Sequence, residues 1–267
     1  MNTTAFTWAR RFLGLFVPPD EHCLHCGRTL STPREDRFGL CGACLDLVAW
    51  IRRPVCDRCG KPLRSEQGDR CHDCRARTVP FACSLAPAVY DGMWRDLIQQ
   101  LKFYGRRELA RPLGAAMAQV AERARLGGRA HALVPVPLHP KRLERRGYNQ
   151  ALALAMEVSE ETGIPVLEAL IRAKAAQHGG AQSLRTARER RRSLRGAFTV
   201  WQPDAVRGLT LVVVDDVYTT GATMDEAARA LLRAGAGKVL GLVAAVGLTD
   251  ADLAGGGGPH SNGGEEC

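Results

Sequence analysis

The stretch that decides the fold is LVVVDDVYTTGAT, Leu211 to Thr223. Four apolar residues, three of them β-branched, run into two adjacent aspartates and then into a turn of threonines around one glycine. A continuous run of this kind suits a strand covered on both faces, as in a parallel sheet. Ligands of open parallel sheets bind beyond the carboxyl ends of the strands. The reading therefore places Asp215 and Asp216 at a strand end. Thr219, Thr220, Gly221, Ala222 and Thr223 then form a turn into a helix N-terminus. Such a turn offers free backbone N–H groups, hydroxyls and the positive end of a helix dipole, a combination suited to a phosphate monoester. Two carboxylates beside it accept hydrogen bonds from vicinal hydroxyls or act through magnesium. A molecule with a phosphate at one end and a diol in the middle is a ribose 5-phosphate.

The same alternation extends on both sides. PAVYDG reads as a strand running into a turn. Trp94, Leu97, Ile98 and Leu101 share one face of a helix that Asp91 is placed to cap. Leu113, Ala116, Met117 and Val120 repeat the pattern. HALVPVP is a short strand, a helix spans about Tyr148 to Thr162 and stops at Gly163, and strands follow near Val166 and at GAFTV. Beyond the threonine turn, Met224, Ala228, Leu231 and Leu232 form the apolar face of a helix that Gly235 ends, and KVLGLVAAVGL is the next buried strand. This order predicts an α/β fold with a mainly parallel sheet flanked by helices.

The N-terminal third is of another kind. Eight of the ten cysteines lie in four Cys-x-x-Cys pairs: Cys23/Cys26, Cys41/Cys44, Cys56/Cys59 and Cys71/Cys74. CLHCGRTL is echoed by CDRCGKPL, and CGAC by CHDC, so a unit of two pairs is used twice. Two thiolates two residues apart grip one metal from a tight knuckle, with Gly27 and Gly60 supplying the left-handed backbone just after it. Two knuckles close a tetrahedral four-cysteine zinc site with no position for water, which makes it structural. In small zinc peptides such a site supplies about 10–16 kcal/mol of folding free energy. Pairing in sequence order is expected, and a crossed pairing is the alternative. A disulfide framework needs an oxidising compartment. FTWARRFLGLFVPP reads as a short amphipathic helix, since its apolar run is short and lacks a small-residue cleavage site. The expected localisation is cytoplasmic. Cys83 and Cys267 fall outside the pattern, the first as a small buried residue and the second in a polar tail.

With 267 residues, 45% hydrophobic and 24% charged, the chain has a globular composition. It has no apolar run near the ~20 residues that span a bilayer, so no membrane insertion is expected. A net charge of +9 favours polyanionic partners, nucleic acid or phosphorylated small molecules, without choosing between them. Much of the excess lies between Arg185 and Arg195. Residues 75–80 read as a linker. The expected division is an N-terminal helix and double zinc ribbon over 1–78, an α/β domain over 79–250, and a disordered tail over 251–267.

The thirteen-residue stretch resembles the phosphoribosyl pyrophosphate (PRPP) motif of type I phosphoribosyltransferases. The paired knuckles, LKFYGRRELA, VPVPLHPKRLERRGYNQ and the basic stretch ending in RGAF are together similar to the ComF family, over about Phe16 to Leu248. The resemblance implies that Asp215 and Asp216 face the ribose hydroxyls of PRPP and that Thr219–Thr223 hold its 5-phosphate. It makes the turn around Pro137 and Leu138 the pyrophosphate loop, with Lys141, Arg142, Arg145 and Arg146 beyond it to neutralise pyrophosphate. It implies magnesium with PRPP, and a closing loop over 172–195. Two residues depart from the family pattern: Ser193 stands where asparagine is usual, and Leu184 follows Gln182 by two residues rather than three. Thr219 stands where purine-salvage relatives carry an aspartate base. Three functions follow as expectations: phosphoribosyl transfer to an unknown acceptor with release of pyrophosphate, handling of single-stranded DNA alongside competence proteins, and regulation by PRPP without turnover. An aromatic content of 6% argues against an evident base-stacking platform.

Overall fold

A computed structural model of the chain describes residues 22–63, 68–173, 194–249 and 252. The amphipathic N-terminal helix, Ser193, Leu184, most of the basic segment and the glycine-rich tail with Cys267 lie outside the described residues. Contacts divide the chain into two compact units, Met1–Asp46 and Leu47–Cys267.

In the smaller unit, Cys23, Cys26, Cys41 and Cys44 bring one sulfur each within 4.8 Å of the others. Gly27 follows the first knuckle at φ 74° and its N–H donates to the Cys23 carbonyl at 2.9 Å. Between the knuckles, the Thr32 hydroxyl accepts from the Glu35 N–H at 3.2 Å while the Glu35 carboxylate accepts from the Thr32 N–H at 3.0 Å. This reciprocal pair closes the start of a short helix, Pro33–Phe38. The same carboxylate accepts from Gly42 N–H at 2.6 Å and so orients the second knuckle.

The larger unit carries the second set of cysteines and the sheet. Its strands are β1 (Ser84–Leu85), β2 (Ala88–Val89), β3 (Ala132–Pro135), β4 (Leu170–Arg172), β5 (Phe198–Val200), β6 (Thr210–Tyr218) and β7 (Lys238–Val246). β1 and β2 both pair with β7, β7 with β6, and β6 with β3, every pairing parallel. β4 and β5 form a separate antiparallel pair. The helices that position the site are α1 (Gly92–Phe103), α2 (Ala110–Arg123), α3 (Pro140–Arg146), α4 (Gln150–Thr162) and α5 (Ala222–Arg233). Leu211, Val213, Val239 and Val243 join Ala227, Ala228 and Leu231 of α5 in one buried cluster. Pleating turns Val212 and Val214 to the other face, where they are fully buried too. The β-branched run is thus covered on both sides, as its composition predicts.

Three local expectations change. β6 does not stop at the aspartates but runs on to Tyr218, because β7 continues beside it, pairing Asp215 with Val243 and Tyr218 with Val246. β3 has already ended opposite Val214, so the acid pair lies where one neighbour has left the sheet. Near Val166 there is a single bridge to Leu133 rather than a strand. Asp91 stands at the N-cap of α1, but its side chain accepts no cap hydrogen bond.

Trp94 anchors α1. It is fully buried, its indole N–H donates to the Ala244 carbonyl at 2.9 Å, and Trp50 packs against it with ring centroids 5.3 Å apart. Trp94→Ala is expected to lower unfolding stability by about 3–5 kcal/mol through the cavity it leaves. Trp94→Phe, which keeps most of the packing and loses the hydrogen bond, should cost less. Urea melts of the two variants check both statements.

Candidate functional site

A cavity of about 640 Å³ opens at the carboxyl end of β6. It is lined on one side by Asp215–Met224 and on the other by Lys102, Phe103, Leu138, Arg142, Arg145, Arg146 and Gln150. Every residue expected in the diol and phosphate subsites lies on this wall. Of the pyrophosphate candidates, Leu138, Arg142, Arg145 and Arg146 line it. Pro137 and Lys141 do not; the Pro137 carbonyl instead accepts from Arg172 Nε at 3.4 Å, and Lys141 is exposed.

The two carboxylates have different surroundings because neighbouring residues in a strand face opposite ways. Asp216 is buried and forms an ion pair with Lys102. Its other oxygen accepts from the Gln150 side-chain amide at 3.4 Å. Asp215 accepts from the Asp216 backbone N–H at 2.9 Å. Burial pushes the Asp215 carboxyl up to about 6, against the pull of Lys102 and Arg172. Burial also brings the Lys102 ammonium down to about 8; Asp215 opposes that shift, and Arg146 and Arg142 reinforce it.

The threonine turn leads directly into α5. Gly221 is the N-cap at φ 74°, no side chain caps the helix, and the first-turn N–H groups face the turn that the threonines form. A Cβ on Gly221 would lie 2.3 Å from the Tyr218 hydroxyl and 2.6 Å from Arg77 Nη2, so the turn admits only glycine. Arg77 comes from the supposed linker. It pairs with buried Asp225 in the first turn of α5 and donates to the Tyr218 hydroxyl at 2.9 Å and to the Thr220 carbonyl at 3.4 Å.

Two further sequence motifs hold each other. In GYNQ, the Tyr148 hydroxyl donates to the Leu101 carbonyl and Asn149 caps α4, accepting from Ala151 N–H at 3.1 Å. The Asn149 amide also donates to the Val136 carbonyl at 3.1 Å, which fixes the turn after β3. Arg107 lies over the Tyr148 ring at 4.6 Å and donates to the Gly147 carbonyl at 3.0 Å, while Arg146 lies over Phe103 at 5.3 Å. This clasp sets Lys102 and Gln150 into the cavity. Both residues stand inside motifs quoted from the sequence, yet neither is singled out there as a site residue. Arg77 has no sequence signal beyond its place three residues after a knuckle.

The second cysteine set is more enclosed than the first. Cys56, Cys59, Cys71 and Cys74 are all buried, whereas Cys26 of the first set is exposed. Both sets group in sequence order, and one sulfur pair in each, Cys26–Cys41 and Cys59–Cys71, is 3.6 Å apart. Tetrahedral zinc with bonds of about 2.3 Å requires sulfurs roughly 3.8 Å apart, so both sets fit the ion. Gly60 follows its knuckle at φ 71°, as Gly27 does.

Fold and site together define a type I phosphoribosyltransferase-like protein with an N-terminal zinc-ribbon domain. A double zinc ribbon domain model matches residues 12–75, and a phosphoribosyl transferase domain model matches residues 148–251. The chain belongs to the ComF family. It is 34% identical over 208 residues to the DNA utilization protein YhgH of Salmonella typhimurium, covering 76% of this chain and 88% of that one. It is 31% identical over 218 residues to competence protein F of Haemophilus influenzae, covering 80% and 91%. It is 26% identical over 202 residues to competence protein ComFC of Bacillus subtilis, covering 73% and 79%. Among the described residues, no helix is long and apolar enough to cross a membrane.

Proposed function

We propose that the cavity binds PRPP and that the protein transfers its phosphoribosyl group to an acceptor, releasing pyrophosphate. The observation that carries this reading is the convergence, in one cavity, of an uncapped helix N-terminus, two carboxylates and a bank of guanidinium groups. The 5-phosphate sits on Thr219–Thr223, the diol on Asp215 and Asp216, and the pyrophosphate towards Arg142, Arg145 and Arg146. Transfer breaks the C1–O bond to pyrophosphate and forms a bond from C1 to the acceptor nucleophile. Positioning and neutralisation of the leaving group supply the acceleration. Two carboxylates alone make a weak magnesium site, and one of them is paired with Lys102. Asp215 and Asp216 together with the phosphate oxygens of PRPP would hold magnesium, which would add positive charge against the leaving pyrophosphate.

Asp215 gives the binding a pH dependence. A diol donates to a carboxylate and not to a protonated acid in the same role. Affinity for PRPP with magnesium is expected to fall as pH drops through about 6, where Asp215 takes up a proton. Calorimetric titrations between pH 5 and 8 check this, beside a pyrophosphate-release assay across candidate acceptors. No heat at any pH would overturn the reading.

A second reading, handling of single-stranded nucleic acid, has its own support. Phe103 and Tyr104 are 62% and 76% exposed at the end of α1, with Phe103 on the cavity rim against Arg146. Exposed aromatics beside arginines are what base stacking and phosphate contacts use, and the relatives carry DNA utilization and competence in their names. Salt-dependent binding of an oligonucleotide that is lost in Phe103→Ala/Tyr104→Ala would favour it.

A further inference from the structure

Arg77 joins two parts of the molecule that the proposed reaction does not by itself connect. The short helical turn His72–Arg75 begins inside the second cysteine set, and the Arg75 N–H donates to the Cys71 carbonyl at 3.0 Å. Ala76 follows as its C-cap, donating to the His72 carbonyl at 3.1 Å. The knuckle therefore fixes the backbone that presents Arg77. At the other end, the guanidinium touches a strand residue, a loop carbonyl and a helix carboxylate: Tyr218, Thr220 and Asp225. Tyr218 in turn meets Phe81 edge-on, with centroids 6.3 Å apart, and both belong to the buried cluster that contains Cys56, Cys59, Cys71 and Cys74.

Asp225 is 1% exposed. A buried carboxylate that loses its cation is strongly destabilising. If the knuckle loosens, Arg77 loses its mooring and Asp225 its counter-charge, and the turn Thr219–Thr223 loses the guanidinium beneath Gly221. Arg77 does not line the substrate cavity. It acts through the loop.

We infer that Arg77 is a positioning residue that couples the second four-cysteine site to the phosphate loop, so that metal held by Cys56, Cys59, Cys71 and Cys74 and a phosphate ester held by Thr219–Thr223 stabilise one another. The inference rests on the proposed PRPP reading. Such coupling is reciprocal: if the metal tightens PRPP, then PRPP must tighten the metal by the same factor, and a slower loss of that metal reports it. The Cys23 set, in the other compact unit, serves as the internal control.

The test uses the full zinc-loaded chain, a chelator in excess and a metallochromic indicator, with and without PRPP and magnesium. Two equivalents of zinc are expected to leave at different rates, and Cys26→Ser identifies the phase that belongs to the first set. PRPP should slow the other phase by about tenfold or more and leave the first unchanged. In Arg77→Met the slowing should vanish and PRPP affinity should fall by about tenfold. Arg77→Lys, which keeps the charge and part of the hydrogen bonding, should restore some of both. Tyr218→Phe keeps the contact with Phe81, removes one partner of Arg77 and should give a smaller loss; it carries the test if Arg77→Met does not fold. PRPP binding that slows neither phase, or both alike, overturns the inference and leaves the PRPP reading standing. Full slowing retained in Arg77→Met also overturns it. Absence of PRPP binding in parallel calorimetry removes both.

Discussion

Replacing Asp215 and Asp216 together by asparagine is expected to weaken PRPP binding by at least about 100-fold, and the two single variants should separate binding from stability. Hydrogen bonds to a charged partner contribute about 1.5–3 kcal/mol each, and 2.7 kcal/mol corresponds to a factor of about 100. Asp215→Asn removes a carboxyl that the fold holds at about 6, above its ordinary value near 3.8, through burial. An acid raised in the folded state contributes stability that is complete below its unfolded value and lost as pH rises through the folded one. At pH 7 the ionised Asp215 is therefore a cost to the free protein, and Asp215→Asn should be as stable as the parent or more stable while failing to bind. Asp216→Asn behaves differently, because it leaves half-buried Lys102 without its ion-pair partner. That variant should lose stability as well as affinity. Urea melts at pH 7 with calorimetric PRPP titrations distinguish the two. Equal stability changes in both singles would contradict the assignment of Lys102 to Asp216.

The parallel sheet was legible in the sequence because its signals are local. A β-branched run bounded by charge, periodic apolar faces on the helices, and glycines after the knuckles each report the backbone state of their own neighbourhood. The acid pair and the threonine turn were legible for the same reason, since both lie within thirteen consecutive residues. Lys102, Gln150 and Arg77 were not. Each reaches the site from a different element, and what distinguishes Lys102 from another exposed lysine is only that α1 ends beside β6. The continuation of β6 to Tyr218 was likewise hidden: two aspartates read as a strand end, and only the presence of β7 alongside carries the strand past them. Residues 75–80 look like a linker because they are short, polar and proline-terminated, but composition cannot show that one guanidinium among them is tied to a helix nearly 150 residues away.

Gly221→Ala should abolish PRPP binding while costing only about 1–3 kcal/mol of global stability, and Gly208→Ala isolates the reason. Both glycines have left-handed backbones, at φ 74° and 72°. A non-glycine residue pays about 1–2 kcal/mol for that conformation wherever it occurs. At Gly208 a Cβ meets nothing within 4 Å, so the backbone term stands alone. At Gly221 the Cβ would also collide with the Tyr218 hydroxyl and Arg77 Nη2. Tyr218 is held by Phe81 and Arg77 by Asp225, so neither can retreat without breaking a buried contact. The turn must shift instead, and the N–H groups of α5 no longer converge where a phosphate would lie. Denaturant melts should show a loss of about 1–2 kcal/mol in Gly208→Ala and a larger one in Gly221→Ala, while calorimetry with PRPP should show parent-like affinity in Gly208→Ala and none in Gly221→Ala. Retained binding in Gly221→Ala would mean that the phosphate is held elsewhere than on this loop.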